Sequence, residues 1–542
     1  MKVQLNSQQQ NHPQFRGPID STMRYLATNQ AVGANGVDFC FMVTPRTTSD
    51  MIKRGPAAGM ETLRREIMGT INDSLIGCYG AVAGGLLAFA LNKKYGADVK
   101  KMFTAPETLN ILAENKAEQI KNNKSQLEYI EKTLGNVKAY NPSANGADTE
   151  GFVRLSKSTI EETAKIFDEA LSNKSMDFKA WKDSKTAGGR DVILNKITEN
   201  TGAQSKYILE SLNDKKQISE TNLKTLLDDM YLVSDSFNKD KVKAAFEEQV
   251  KSGKAVKDNA FIKGVTKFMK NRAGIGFAIA SAVGISVQPI NMYLTKKKTG
   301  TDGFVGVEGR SKDTSANFKA LKVGSSAAFF SLILGTLKCS PMKFMSKMAF
   351  KGMWPTIEQL KGVYGVTIIS RVFSARDKDE LREVLTKDTL GYLSWLVLGD
   401  IVNKLVADVL DKSTMNYTSA LKDDKNIFRR TFNGSLKTRD EILIDTLAKN
   451  NVSTTKKEGD KLVAKTFKEM LKDLDKLDDG VKKVARKRLT TLNRAQAAGY
   501  LFSGLVLGLG IPNLNIYITN TLDKKRKAAK AAQAAQNSEQ VA

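Results

Sequence analysis

Five uncharged apolar runs punctuate an otherwise charged chain. Leu75–Leu91 has 17 residues, Gly274–Thr295 has 22 and Ala495–Leu522 has 28, while Val323–Leu337 and Thr389–Gly399 have 15 and 11. A helix needs about 20 apolar residues, at roughly 1.5 Å each, to cross a bilayer. The second and third runs reach that length, the first is borderline, and the last two fall short. All are rich in small residues. Gly80 and Gly84 lie one turn apart in the first run, on a face that lets two helices approach closely in lipid. In water each such glycine costs about 1 kcal/mol of helix propensity. The pattern favours membrane helices over the alternative, fully buried central helices of a large soluble domain.

The stretches between the runs differ in kind. Residues 100–260 and 411–490 are charged and lysine-rich, with apolar positions at helical spacing. Ile160, Ala164, Ile166, Phe167 and Leu171 trace one apolar face, and Leu223, Leu226, Leu227, Met230 and Tyr231 another. Asn213-Asp214, Asn238-Lys239-Asp240 and Gly253 read as breaks. No sustained period-two alternation occurs, so the predicted fold class is all-α.

The two long runs are related to each other. Asn271-Arg272-Ala273 opens one and Asn493-Arg494-Ala495 the other; Pro289 follows Gly284-Ile285, as Pro512 follows Gly510-Ile511. Asn291-x-Tyr293-x-Thr295 matches Asn515-x-Tyr517-x-Thr519 at an offset of 224. Upstream, Lys241-x-x-Ala244-x-Phe246 lies over Lys461-x-x-Ala464-x-x-Phe467 with a one-residue slip. A weaker match pairs Val43-Thr44, Leu63-Arg64-Arg65-Glu66-Ile67 and Asp73-Ser74-Leu75 with Val366-Thr367, Leu381-Arg382-Glu383-Val384 and Asp388-Thr389-Leu390. The expected organisation is therefore a duplication of two helical halves with Gly-rich apolar helices and charged helical insertions. Residues 19–300 form the first half, with its insertion at 100–260, and 346–522 the second, with its insertion at 411–490. A linker with a short apolar helix (301–345), a disordered tail (1–18) and a basic, Ala/Gln-rich tail (523–542) complete the chain.

Each proline removes a helix hydrogen bond, so both runs should break or kink near Pro289 and Pro512. Matching Pro-interrupted apolar helices in two halves point, in transporters, to a site at the repeat interface. The simpler expectation is that Tyr293 and Tyr517 anchor helix ends at a membrane surface while Asn291 and Asn515 cap the next turn, with Thr295 and Thr519 beside them.

Composition adds a partner. Lys and Arg number 84 against 58 Asp and Glu, a net charge of +26. The excess flanks the apolar runs: Lys263, Lys267, Lys270 and Arg272 precede the second, and Lys296, Lys297 and Lys298 follow it. Arg486, Lys487 and Arg488 precede the third, which Lys524, Lys525, Arg526 and Lys527 follow. Such clusters attract anionic lipid headgroups at about 1 kcal/mol per residue. Both ends of both runs are basic, which leaves orientation open and permits a re-entrant hairpin. Nucleic acid is the rival partner, but only 7% of residues are aromatic and no recognition signature occurs. The expected partner is an anionic bilayer; no protein partner can be named.

Enzyme chemistry finds no support. His12 is the lone histidine, in a polar tail, and Cys40, Cys78 and Cys339 lack metal-ligand spacing. No G-x-x-x-x-G-K-[ST] loop occurs, and the glycine-rich stretch 300–309 reads as a linker. Asp475 as the first ligand of a calcium loop would put Arg486 where a bidentate Glu is needed. Arg64, Arg65 and Glu66, near Asp73, read as a solvated helix face. No cofactor is expected.

Residues 1–18 contain no apolar stretch, so no cleavable signal peptide is expected. The elements Phe15-Arg16-Gly17-Pro18, Ala27-Thr28-Asn29-Gln30 and Val43-Thr44-Pro45-Arg46 resemble a group of uncharacterised bacterial proteins. That resemblance implies a bacterial source and no activity. The sequence thus reads as a non-enzymatic, all-α protein in or on a bacterial membrane. A soluble, cytoplasmic structural or interaction protein is the alternative.

Overall fold

The computed structural model describes residues 22–26, 30–141, 144–203, 206–211, 218–300, 305, 312–350, 355–410, 431 and 436–541. The tail 1–18, the break at Asn213-Asp214 and most of the stretch 300–309 lie outside the described residues. The fold is all-α.

Helix α1 (Gln30–Val37) passes through a π-helical segment, Asp38–Val43, into α2 (Thr44–Arg54). Gly55 turns the chain at φ 91°, and Pro56 opens α3 (Pro56–Tyr95), where its missing N–H is not needed. A Cβ on Gly59 would fall 2.6 Å from Cβ of Met51, so this tight hairpin closes on a glycine.

Residues 97–259 form a first lobe around one core. It holds α4 (Pro106–Lys121), α5 (Gln126–Gly135), α6 (Lys157–Ser172), α7 (Arg190–Thr201), α8 (Leu223–Phe237) and α9 (Asp240–Lys251). Phe167, Trp181, Tyr231 and Phe237 fill its centre. The two apolar faces read from the sequence point there, with Ala164, Leu226 and Leu227 fully buried. The lobe also contains a four-stranded antiparallel sheet in the order β2-β1-β3-β4, from β1 (Val137–Tyr140), β2 (Phe152–Arg154), β3 (Tyr207–Glu210) and β4 (Ile218–Thr221). Strands of three or four residues are too short for period-two alternation to stand out.

Asn259 caps the next helix by accepting from Phe261 N and Ile262 N, and α10 (Ala260–Thr299) returns antiparallel to α3. Gly264 meets Leu91, Gly276 lies against the backbone of Gly80, and Gly84 leaves room for Arg272. The Gly80/Gly84 face is thus where the helices approach most closely. Arg272, read from sequence as part of a basic flank, is buried with its guanidinium 4.1 Å from the Phe103 ring centre.

Helix α11 (Ala316–Leu337) and α12 (Ile357–Ser374) follow, with α12 packed against both α10 and α11. The chain then turns into α13 (Lys378–Leu393), a second π segment (Ser394–Leu398) and α14 (Gly399–Leu410). A second lobe is built from α15 (Arg439–Lys449), the hairpin β5 (Thr455–Glu458) and β6 (Lys461–Ala464), and α16 (Phe467–Leu474). Helix α17 (Asp479–Gly504) returns along α14, with the Cβ position of Gly499 2.9 Å from Gly399 O, and a third π segment (Leu505–Gly510) leads into α18 (Ile511–Val541).

The two lobes touch: Gly188 N donates to Leu462 O and Asn195 Nδ2 to Thr454 O, each at 3.2 Å. Both long-helix pairs therefore run the same way, with the lobes at one end of the bundle and the α2–α3 and α12–α13 turns at the other.

Four helical stretches are long and apolar enough to cross a membrane: Pro56–Tyr95, Ala260–Thr299, Ala316–Leu337 and Asp479–Gln533. The first and fourth runs of the sequence thus belong to longer helices than their uncharged cores imply. At most 44% of any of the four apolar windows is buried, so more than half of the residues in each retain some exposure.

The proline expectation needs correcting. Helix α10 continues unbroken through Pro289. The proline frees the carbonyl four residues back, and Ser370 Oγ donates to that carbonyl, Ile285 O, at 2.9 Å. Pro512 sits in the first turn of α18 directly after a π segment, where Arg46 Nε donates to Leu507 O at 3.4 Å. Neighbouring side chains supply the donors that would otherwise be missing. The upstream Lys-x-x-Ala match also fails to carry over, because Lys241–Phe246 is helical in α9 whereas Lys461–Ala464 is strand β6.

Candidate functional site: a charged network between the helix pairs

At the end opposite the lobes the two helix pairs meet through buried charges. Arg54, at the close of α2, donates to Glu383 on α13 (Nη1–Oε2 2.9 Å). Arg376, just before α13, donates to Glu61 on α3 (Nη2–Oε1 2.7 Å). Each arginine sits two residues before a helix start and seven residues before the glutamate of its own helix, and each reaches across to the other's glutamate. The exchange is reciprocal.

Further positions share this relation. Arg54, Glu61, Arg65, Glu66 and Gly69 correspond to Arg376, Glu383, Lys387, Asp388 and Gly391 at a constant offset of 322. Glu66 is paired with Lys387 (3.3 Å), Arg65 (3.3 Å) and Arg46 (3.5 Å), and Arg371 bridges it (3.7 Å) to Asp388 (3.2 Å). Both glycines make room for a guanidinium. The atom nearest a Cβ at Gly69 is Arg371 Nη2, and the atom nearest one at Gly391 is Arg46 Nη2. Burial works against the charge of Arg371 and Arg376. Asp388 and Glu66 hold the first above its ordinary pKa, and Glu380 and Glu61 do the same for the second.

The two Asn-x-Tyr-x-Thr elements dock onto the same frame. Asn291 Nδ2 donates to Glu61 O at 2.8 Å, and Asn515 Nδ2 to Glu383 O at 3.1 Å, again at equivalent positions. Arg64 donates to Asn291 Oδ1 and Thr295 Oγ1, both at 2.8 Å, while Arg382 donates to Thr519 Oγ1 at 2.5 Å. Arg64 and Arg382 are not equivalent at the 322 offset; the partner is supplied from about one turn away. The i and i+4 side chains face inward, and the intervening Tyr293 and Tyr517 face outward, 65% and 70% exposed. One helical register thus serves both an inner polar face and an outer aromatic one.

Between the pairs lies a small cleft of about 50 Å³, lined by Arg46, Glu61, Arg65, Lys387, Pro512 and Asn515 among others. Arg46 Nη2, Glu61 Oε2 and Asn515 Oδ1 are buried there without a protein hydrogen-bond partner. Asn291 does not line this cleft and meets it through the Glu61 backbone.

The expected solvated face at Arg64–Glu66 is therefore overturned: Glu66 and Asp73 are 3% and 2% exposed. The two halves of the network also differ. Thr70 bonds Asp38 beside Asp73, whereas the equivalent positions are Tyr392 and Trp395, packed on Tyr364. Among the described residues no group of His, Cys, Asp and Glu is placed to hold a metal. Comparison with protein-family models, curated proteins and solved structures finds no match.

The basic residues singled out by sequence fall at both ends. Lys296, Lys297 and Lys298 are exposed at the network end, as are Lys524, Lys525 and Lys527. Arg526 there pairs with Asp379 at 3.0 Å. At the lobe end, Arg486 pairs with Asp475, Lys487 is exposed and Arg488 is buried. Sequence reasoning missed Arg46, Arg54, Glu61, Arg371, Arg376 and Lys387. The repeated spacing Arg-x6-Glu-x3-basic-acid finds Arg54, Glu61, Arg376 and Lys387, whereas Arg46 and Arg371 lie outside it and carry no such signal.

Proposed function

We propose that this chain is a non-enzymatic, membrane-embedded helical protein of two related halves, attached to anionic lipid through the basic ends of its long helices. One observation carries the reading. At the level where α10 and α18 turn Asn291, Thr295, Asn515 and Thr519 toward buried charges, the same helices turn Ile290, Tyr293, Leu514 and Tyr517 outward. A polar inside beneath an apolar outside is the arrangement a lipid solvent favours. On α3 the outward apolar positions run from Met68 through Val82 and Leu86 to Phe89, roughly 30 Å at 1.5 Å per residue and so about one hydrocarbon thickness. The reciprocal pairs Arg54–Glu383 and Arg376–Glu61, and the equal docking of Asn291 and Asn515, support duplication of the halves. The network's role in this reading is to fix how the halves meet, the use of buried ion pairs for specificity rather than net stability.

The soluble alternative draws on α3, whose uncharged run is only 17 residues. Extraction separates the two. The membrane reading expects the protein to stay in the pellet through alkaline carbonate and to leave with detergent. A monodisperse, detergent-free protein in low-salt buffer refutes it, and release by high salt alone refutes embedding in favour of peripheral attachment.

A further inference from the structure

A second opening lies beside the Arg376 end of the charged network, where Asp313 N donates to Arg376 O at 2.7 Å, on the outer side of the bundle. It is a groove of about 590 Å³ between the end of α10, the start of α11 and the end of α12. Its walls are apolar, from Pro289, Met292, Val323 and Phe373, and its rim carries Lys312 and Lys319. Val323 and Phe373 are about half exposed, so the groove opens sideways onto the same outward surface that presents Ile290 and Tyr293.

Three features give the groove a positive head. Lys312 and Lys319 are exposed. Lys322 is held at the floor, its Nζ donating to Phe373 O at 2.9 Å and Ala375 O at 2.7 Å. Thr314 lines the groove immediately before Ser315, the N-cap of the 22-residue α11, which adds the positive end of a helix dipole. Among the described lining residues the acid is Asp313, which accepts from Ser315 N at 2.9 Å. A basic head with an apolar trough below it, beside a long apolar helix, matches a phosphate joined to an acyl chain.

We propose that this groove binds one anionic phospholipid, with its phosphate at Lys312, Lys319 and the start of α11 and its acyl chain along Val323 and Phe373. The site rests on the membrane reading, and its test distinguishes the two. Full-length protein carrying Val323→Trp is reconstituted into phosphatidylcholine vesicles containing brominated phosphatidylglycerol or brominated phosphatidylcholine. Quenching of the added tryptophan is read as the difference from the unsubstituted chain.

The brominated phosphatidylglycerol should reach half-maximal quenching at a mole fraction about tenfold lower than its phosphatidylcholine counterpart, and Lys312→Gln with Lys319→Gln should abolish that preference. Both lysines are exposed, so helicity by circular dichroism should be unchanged. Met292→Trp serves as a second reporter if Val323→Trp fails to fold. Equal quenching by both lipids, or a preference that survives loss of both lysines, overturns the site while leaving the membrane reading intact. Failure of the protein to float with vesicles of any composition overturns both.

Discussion

The reciprocal arginine–glutamate exchange makes a quantitative demand on stability. In the Arg54–Glu383 pair the side chains are 6% and 11% exposed, so each charge has lost nearly all its water. Glu383→Gln removes the carboxylate closest to Arg54, the next being Asp50 at 3.7 Å, and should cost about 3–5 kcal/mol. Arg54→Gln takes the guanidinium from the buried carboxylate, which keeps the Thr519 hydroxyl as a donor, and should cost a similar amount. Removing both charges should cost less than the sum by about 1.5 kcal/mol or more, the coupling expected of a close, desolvated pair. The second pair should behave differently in one respect. Arg376 also holds both oxygens of Glu380, at 3.0 and 2.9 Å, so Glu61→Gln leaves it paired and should cost about 1–3 kcal/mol. The measurement is reversible unfolding of the detergent-solubilised full chain, for each single variant and each double. Additivity within about 0.5 kcal/mol for Arg54 and Glu383 would refute the claim that these charges depend on one another.

Three further outcomes are expected. Ser370→Ala should cost about 1 kcal/mol by leaving Ile285 O without a donor, and less in a Pro289→Ala background, where the restored backbone N–H takes over; equal costs in both backgrounds would sink the idea. Gly276→Leu should lower the thermal midpoint in detergent by wedging α3 from α10, at about 1–3 kcal/mol. Gly274→Ala, with nothing within 4 Å of the added carbon, should not lower it. In the first lobe, burial pushes the Asp229 carboxyl up to about 7, against a hydrogen bond from Thr104. The folded lobe therefore holds a proton that the unfolded chain releases near pH 4, and the stability this contributes falls as pH rises from about 4 to 7. Asp229→Asn should slow amide exchange in α8 at pH 8 relative to the unsubstituted lobe and change little at pH 4.

The long helices were legible because uncharged apolar runs print directly on a sequence, although the 17- and 15-residue runs understated the helices that carry them. The Asn-x-Tyr-x-Thr spacing was legible too, at a fixed offset, and both elements dock through their Asn side chains onto glutamate carbonyls. The charged network was not. Arg64-Arg65-Glu66 has the spacing of a solvated helix face, and only the approach of α12 and α13 turns Glu66 inward. The spacing shared by Arg54–Glu66 and Arg376–Asp388 keeps charge rather than residue type, with Lys387 for Arg65 and Asp388 for Glu66, so an identity-based match at Arg64 and Arg382 passes over it. Pro289 misled for a similar reason. The donor that rescues Ile285 O lies on another helix, and no local rule reveals it. The π segments at Ser394–Leu398 and Leu505–Gly510 carry ordinary apolar helix residues, and the small sheets are too short to show a period.

The position of the first lobe bears on how such a chain can assemble at all. Gly80 and Gly276 must come into contact although almost two hundred residues separate them, and an open loop of that length makes their encounter entropically expensive and slow. The lobe has its own hydrophobic core, and a lobe that folds on itself first would remove the problem. Its exit brings Phe261 against Tyr95, with ring centres 5.1 Å apart, so α3 and α10 leave it side by side and already antiparallel. For the helices, a distant pairing has become a neighbouring one. The lobe is in this sense a clasp, holding the end of one long helix against the start of the other.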